Sequence, residues 1–193
     1  MAAYQAGKMA AFENIYRRLA PDLRRYLISL TRNRPRAEDL LQETFLQIHR
    51  SRHTYSPPRP MAPWAFGIAR HVYLMDCRAW ARRRRLEIEP VEDLPEVPVP
   101  AFGEGVADQD LLRRAVSHLA ADRREPLLLH HIWGFSFKEI AGILGIREGA
   151  AKVRAHRARK QLESLLKQTS STAGRNQSRA DDQEKKDESG LKP

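Results

Sequence analysis

The residues able to do chemistry in this chain are cations, aromatic rings and one acidic cluster. None is arranged as a catalytic centre. Lys152, Val153, His156, Arg157 and Lys160 recur three and four apart, on the outward face of a helix after a tight turn. A rigid basic face of that kind fits the DNA major groove. A second group is Arg59, Phe66, Arg70, His71, Arg78, Arg82, Arg83 and Arg84. Arginines hold phosphates while rings stack on unpaired bases, at about 1–3 kcal/mol per stacked base. The third group is Asp39, Gln42, Glu43 and Leu46, an acidic face with an apolar tip inside a basic stretch. DNA would repel it, so it predicts docking to a basic protein surface.

Enzyme chemistry finds no support. There is no phosphate-binding glycine loop, no HExxH and no nucleophile elbow. His118, His130 and His131 lack a Cys or acidic partner at metal-ligand spacing, so no metal and no cofactor are expected. Cys77 is the only cysteine, which rules out an internal disulfide. No apolar run is long enough for a signal peptide or a membrane span, and a cytoplasmic protein is expected.

The elements that must position these residues are helices. Ser136 can cap a helix with Glu139 three residues on, a capping box. Phe137, Ile140, Ala141 and Leu144 then make one apolar face, and Gly145 ends the helix. A second helix starts near Glu148, with Ala151, Ala155, Ala158, Leu162 and Leu165 turned inward. These small residues let it sit close on the first, giving a helix-turn-helix over 136–160. Two helices precede it: one carries Leu111, Leu112, Ala115, Val116 and Leu119, the other runs from Arg123 to Trp133.

Upstream, 10–31 reads as a helix interrupted at Pro21. Residues 36–50 form a second, with Ala37, Leu40, Leu41, Thr44, Phe45 and Ile48 buried. Prolines make 51–63 a loop. A long helix to Arg85 follows, with Trp64, Ala65, Ile68, Ala69, Val72, Met75 and Ala79 in the core and Phe66, Arg70, His71, Tyr73, Arg78 and Trp80 outside. Charge divides along the same lines. Residues 1–85 hold 17 Lys/Arg against 6 Asp/Glu, and 108–167 hold 12 against 7. Residues 86–107 hold 6 acids and no base. Two basic helical domains joined by an acidic, proline-rich linker follow from this layout, and the polar tail 168–193 is expected to be disordered. The expected architecture is all-α, with domains over 10–85 and 108–167.

The stretches AEDLLQETFLQIHR, PWAFGIARH at 63–71 and FSFKEIAGILGI…KVRAHRARKQL resemble the extracytoplasmic-function group of sigma-70-type sigma factors. The resemblance covers 10–167 in the expected order. It implies a region 2-like domain, a threading linker and a region 4-like domain. Asp39, Gln42, Glu43 and Leu46 would contact the clamp of the largest subunit of core RNA polymerase. Residues 52–85, with Arg59, Phe66, Arg70, His71, Arg78 and Arg82 to Arg84, would bind the −10 promoter element and open it. Lys152, Val153, His156, Arg157 and Lys160 would read the −35 element. An anti-sigma protein is a further candidate partner. The chain departs from the family at three places. His71 stands where many members have Asn. Ala150-Ala151 replaces Thr-Val, and Val153 replaces a small polar residue, which permits apolar contact to a thymine methyl. The rival reading, a dimeric transcriptional regulator, leaves the acidic helix and the aromatic-basic helix without a purpose.

Overall fold

The computed structural model describes residues 1–86 and 109–167, and every regular element among them is helical. The linker expected over 86–107 and the tail expected over 168–193 lie outside the described residues, except that Leu86 ends a helix. In chain order the helices are α1 (Ala2–Gln5), α2 (Met9–Thr31), α3 (Arg34–Arg50), α4 (Met61–Leu86), α5 (Gln109–Ser117), α6 (Ala121–His131), α7 (Phe137–Leu144) and α8 (148–167).

Helix α2 runs unbroken through Pro21, where the sequence predicts a break. Leu19 and Ala20 before the proline are buried, and so are Leu23, Tyr26 and Leu27 after it, while Pro21 itself faces solvent. Burial along one continuous stripe outweighs the hydrogen bond that Pro21 cannot donate. Helix α3 starts at Asn33, whose side chain accepts from the Arg36 backbone N–H at 2.9 Å. Its buried stripe is Ala37, Leu40, Leu41, Thr44, Phe45 and Ile48. Arg24–Glu38 (2.6 Å) ties it to α2, and Arg36–Asp76 (2.5 Å) ties it to α4.

The short helix α1 is not foreseen by the sequence reading. It is fixed by Tyr4, which is buried and hydrogen-bonded to His49 Nδ1 at 2.5 Å. Gln5 Nε2 also donates to the carbonyls of Arg52 (2.7 Å) and Tyr55 (2.9 Å). No local periodicity could reveal it, because its partners lie some 45–50 residues away.

The two helical groups pack on each other. Tyr26, Leu27, Ala65, Phe66 and Ala69 belong to the same buried cluster as Leu129, Phe135, Ile140, Ile143 and Ala151. Helix α7 lies against α4 and α6. Smaller clusters complete the second group: Val116 with Leu128, and Leu119 with Leu127 and Ala158.

Candidate nucleic-acid interface

The helix-turn-helix is built as its residues dictate. Ser136 Oγ accepts from the Glu139 N–H at 3.3 Å, and the Ser136 N–H donates to Glu139 Oε2 at 2.8 Å. This reciprocal cap satisfies two donors that a helix start leaves open. Gly145 adopts φ 66°, ψ 36°, and the Ile146 N–H returns to the Ala141 carbonyl at 3.1 Å. Glycine meets no steric penalty in that left-handed turn. Replacing Ser136 by Ala is expected to destabilise the second helical group by about 1 kcal/mol, read by thermal unfolding.

Helix α8 then presents two opposed faces. Ala151, Ala155 and Ala158 are buried, so the helix axis can approach its neighbours closely. Lys152, Val153, His156, Arg157 and Lys160 are all exposed, as their spacing predicts. Val153 is 48% exposed, an apolar tip among cations. Lys152 pairs with Glu148 at 2.8 Å, and the hydrogen bond and charge of Lys152 hold the Glu148 carboxyl below its ordinary value.

Helix α3 turns Asp39, Gln42 and Leu46 to solvent and leaves Glu43 half-buried. Leu46 is 42% exposed. Glu43 accepts from Gln47 Nε2 at 2.7 Å, while Glu38 is committed to Arg24. Tyr16 of α2, absent from the sequence-based set, packs on Phe45 with tilted rings at 4.6 Å beside this face and is itself exposed. Its 3–4 spacing with Phe12, Leu19 and Leu23 counts it in the apolar stripe of α2, so periodicity gave no sign of its exposure.

The third group is split. Arg59, His71, Arg78, Arg82 and Arg83 are exposed; the side chain of Arg84 lies outside the described residues. Phe66 and Arg70 correct the sequence expectation of an outer surface. Phe66 is 1% exposed, packed on Tyr26 (4.9 Å), Trp133 (5.3 Å) and Phe135 (5.0 Å). Arg70 Nε bonds Glu125 Oε1 at 3.0 Å with its side chain 23% exposed. The reason is tertiary: the α6–α7 junction closes over a face that the first helical group alone would leave open. Trp64, expected in the core, is half-buried with its ring edge-on to Tyr55 at 5.4 Å. A cavity of about 890 Å³ remains between the groups, lined by Arg59, Trp64 and His71 on one side and Lys138, Gly142 and Ile143 on the other.

Among the described residues every regular element is helical, with a capped helix-turn-helix, an exposed basic face on α8 and an exposed acidic face on α3. Residues 15–85 match the family described as Sigma-70 region 2, and residues 109–162 match Sigma-70, region 4. The chain belongs to the sigma-70-type RNA polymerase sigma factors, within the extracytoplasmic-function (ECF) group. It is 35% identical over 170 residues to RNA polymerase sigma factor CarQ of Myxococcus xanthus, covering 86% of this chain and 95% of that one. It is 34% identical over 148 residues to ECF RNA polymerase sigma factor EcfG of Rhodopseudomonas palustris, covering 76% and 80% respectively. Among solved structures it resembles the sigma factor RpoE from Bartonella quintana, crystallised with the anti-sigma factor NepR. The TM-score is 0.70 at 30% identity, covering 81% of this chain and 97% of that one. Among the described residues, no group of His, Cys, Asp and Glu could hold a metal, and no helix is long and apolar enough to cross a membrane.

Proposed function

We propose that this ECF sigma factor binds core RNA polymerase through α3, reads the −35 element with α8 and the −10 element with α4, and promotes melting there. Asp39, Gln42, Glu43 and Leu46 form the polymerase contact, on the clamp of the largest subunit. Lys152, Val153, His156, Arg157 and Lys160 contact −35 DNA. Arg59, His71, Arg78 and Arg82 to Arg84 bind the −10 strand, joined by Phe66 and Arg70 once the second helical group moves aside. In sequence terms the units are 10–85, a linker over 86–107, 108–167 and a tail over 168–193.

The observation that carries this reading is the exposed basic face of α8, held on an alanine-packed helix behind a complete capping box. A helix so fixed presents base-reading side chains at a defined depth in the major groove. The exposed acidic face of α3 supplies what a simple duplex binder has no need of, a protein contact. Opening of the −10 duplex would be sustained by capture of a flipped base, since stacking lost in DNA is regained on protein. The complex of the Bartonella relative with NepR supports an anti-sigma protein as a further partner of this chain. Working with polymerase on the chromosome places the protein in the cytoplasm.

Arg157→Ala tests the −35 assignment. Loss of a base or phosphate contact of about 1–3 kcal/mol predicts about tenfold weaker initiation on promoters carrying the −35 element. Promoters lacking that element should be unaffected. An equal loss on both would show that Arg157 does not contact it.

A further inference from the structure

Arg124 of α6 is a buried cation without an anion. The residue is only 9% exposed. Among the described residues its guanidinium makes no ion pair and no hydrogen bond. A charge taken out of water and left unpaired is strongly destabilising. Desolvation, then the positive charge of Arg32, lower this guanidinium below its ordinary value. The adjoining acid, Glu125, is committed elsewhere: its Oε1 accepts from the Tyr26 hydroxyl at 2.5 Å and from Arg70 Nε at 3.0 Å.

Arg124 lines a cavity of about 310 Å³ that shares no residue with the larger one beside Trp64. Arg70 of α4 and Arg154 of α8 line it too. Arg154 is half-buried and, among the described residues, also lacks an ion pair. The first turn of α6 meets the cavity at Ala121 and Asp122, and Ala120 gives that helix start no side-chain cap. Open N–H groups at a helix start favour an anion. Leu30, Leu74, Leu128 and Leu144 supply an apolar wall.

The charges set the class of ligand. Glu125 offsets Arg70, which leaves Arg124 and Arg154 as two uncompensated cations. Asp122 is exposed, so water and salt screen its opposing charge. A phosphate monoester carries about −1.5 to −2 charges at neutral pH, with three oxygens that suit guanidinium forks. The volume lies at the small end of ligand pockets, which limits the organic part to a compact body.

We propose that the cavity between α4, α6 and α8 binds a small phosphate monoester, its phosphate held by Arg124 and Arg154 and its apolar body lying on the leucines. The site stands apart from the polymerase and promoter assignments. Phosphate fills the place of the missing counter-ion of Arg124, and the uncapped start of α6 adds backbone donors.

The test is isothermal titration calorimetry of the full chain with phenyl phosphate, alongside thermal unfolding. Saturable, single-site binding with Kd below about 1 mM is expected from a few charge-assisted hydrogen bonds. Arg124→Met keeps an unbranched stem and removes the charge, so affinity should fall about tenfold or more. Without ligand this variant should unfold no lower than the parent, because an apolar chain replaces an unpaired buried charge. Should it fail to fold, Arg154→Met at its half-buried position should show the same loss of affinity. Inorganic phosphate should bind about tenfold more weakly than phenyl phosphate, since it buries no ring. Equal affinity for the two would overturn the apolar half of the assignment. Arg18→Met, which removes an exposed cation of α2 outside the cavity, should bind as the parent does. An equal loss in Arg18→Met would mean that the net charge of +10 attracts the probe, and would overturn the site. So would an absence of saturable heat at millimolar phenyl phosphate, or unchanged affinity in Arg124→Met.

Discussion

Reversing both charges on the docking helix, Asp39→Lys with Glu43→Lys, is expected to weaken binding to core RNA polymerase about a hundredfold while leaving the fold intact. Like-charge juxtaposition across a protein interface costs several kcal/mol, and about 2.7 kcal/mol already gives two decades in affinity. The fold should survive because neither side chain holds it together. Asp39 faces solvent, and Glu43 makes an i,i+4 bond to Gln47 on the helix surface. Such i,i+4 pairs on one helix are worth a few tenths of a kcal/mol. The carboxylate that ties α3 to α2 is Glu38, through Arg24, and it is untouched. Titration of labelled polymerase reads the affinity, and circular dichroism melting reads the fold. Unchanged affinity with an unchanged melt would remove the assignment of α3 as the polymerase contact.

Phe66→Ala carries the largest expected effect on stability, a loss of about 3–5 kcal/mol. The ring is buried against Tyr26, Trp133 and Phe135, so truncation leaves a cavity where the two helical groups meet. For a chain of this size that corresponds to a fall of about 10 °C in the unfolding midpoint. Phe66→Leu, which keeps most of the volume, should lose less than half as much. A surface ring, as periodicity alone suggests for Phe66, would give changes within about 0.5 kcal/mol for either variant. Calorimetric scans of the three proteins distinguish these outcomes, and a midpoint for Phe66→Ala within about 1 °C of the parent would contradict the closed arrangement.

Local signals carried the sequence reading a long way. The capping box at Ser136, the turn at Gly145 and the alanine stripe of α8 depend on neighbours within a few residues, and each stands where the sequence predicts it. The buried stripe of α3 is predicted residue for residue. What escaped depends on distant contacts. Glu125 sits among Arg123, Arg124 and Pro126 with no spacing that marks it, because its partners Tyr26 and Arg70 lie 99 and 55 residues away. Phe66 lies next to the core residue Ala65, and only the covering by Trp133 and Phe135 decides its burial. Pro21 misled for the converse reason: a local rule predicts a break, and tertiary burial on both sides of it keeps the helix. The candidate site was thus legible where one helix face decides exposure, as on α3 and α8, and not where two helical groups meet.

The measurement that bears most directly on the proposed function is run-off transcription. Purified bacterial core polymerase is supplied with and without this protein, on the DNA upstream of its own gene and on a randomised promoter library. A start site that depends on the protein, with two selected blocks near −35 and −10, is the predicted result. No transcript from either template, together with tight dimeric binding of the free protein to duplex DNA, would contradict it and favour a stand-alone regulator.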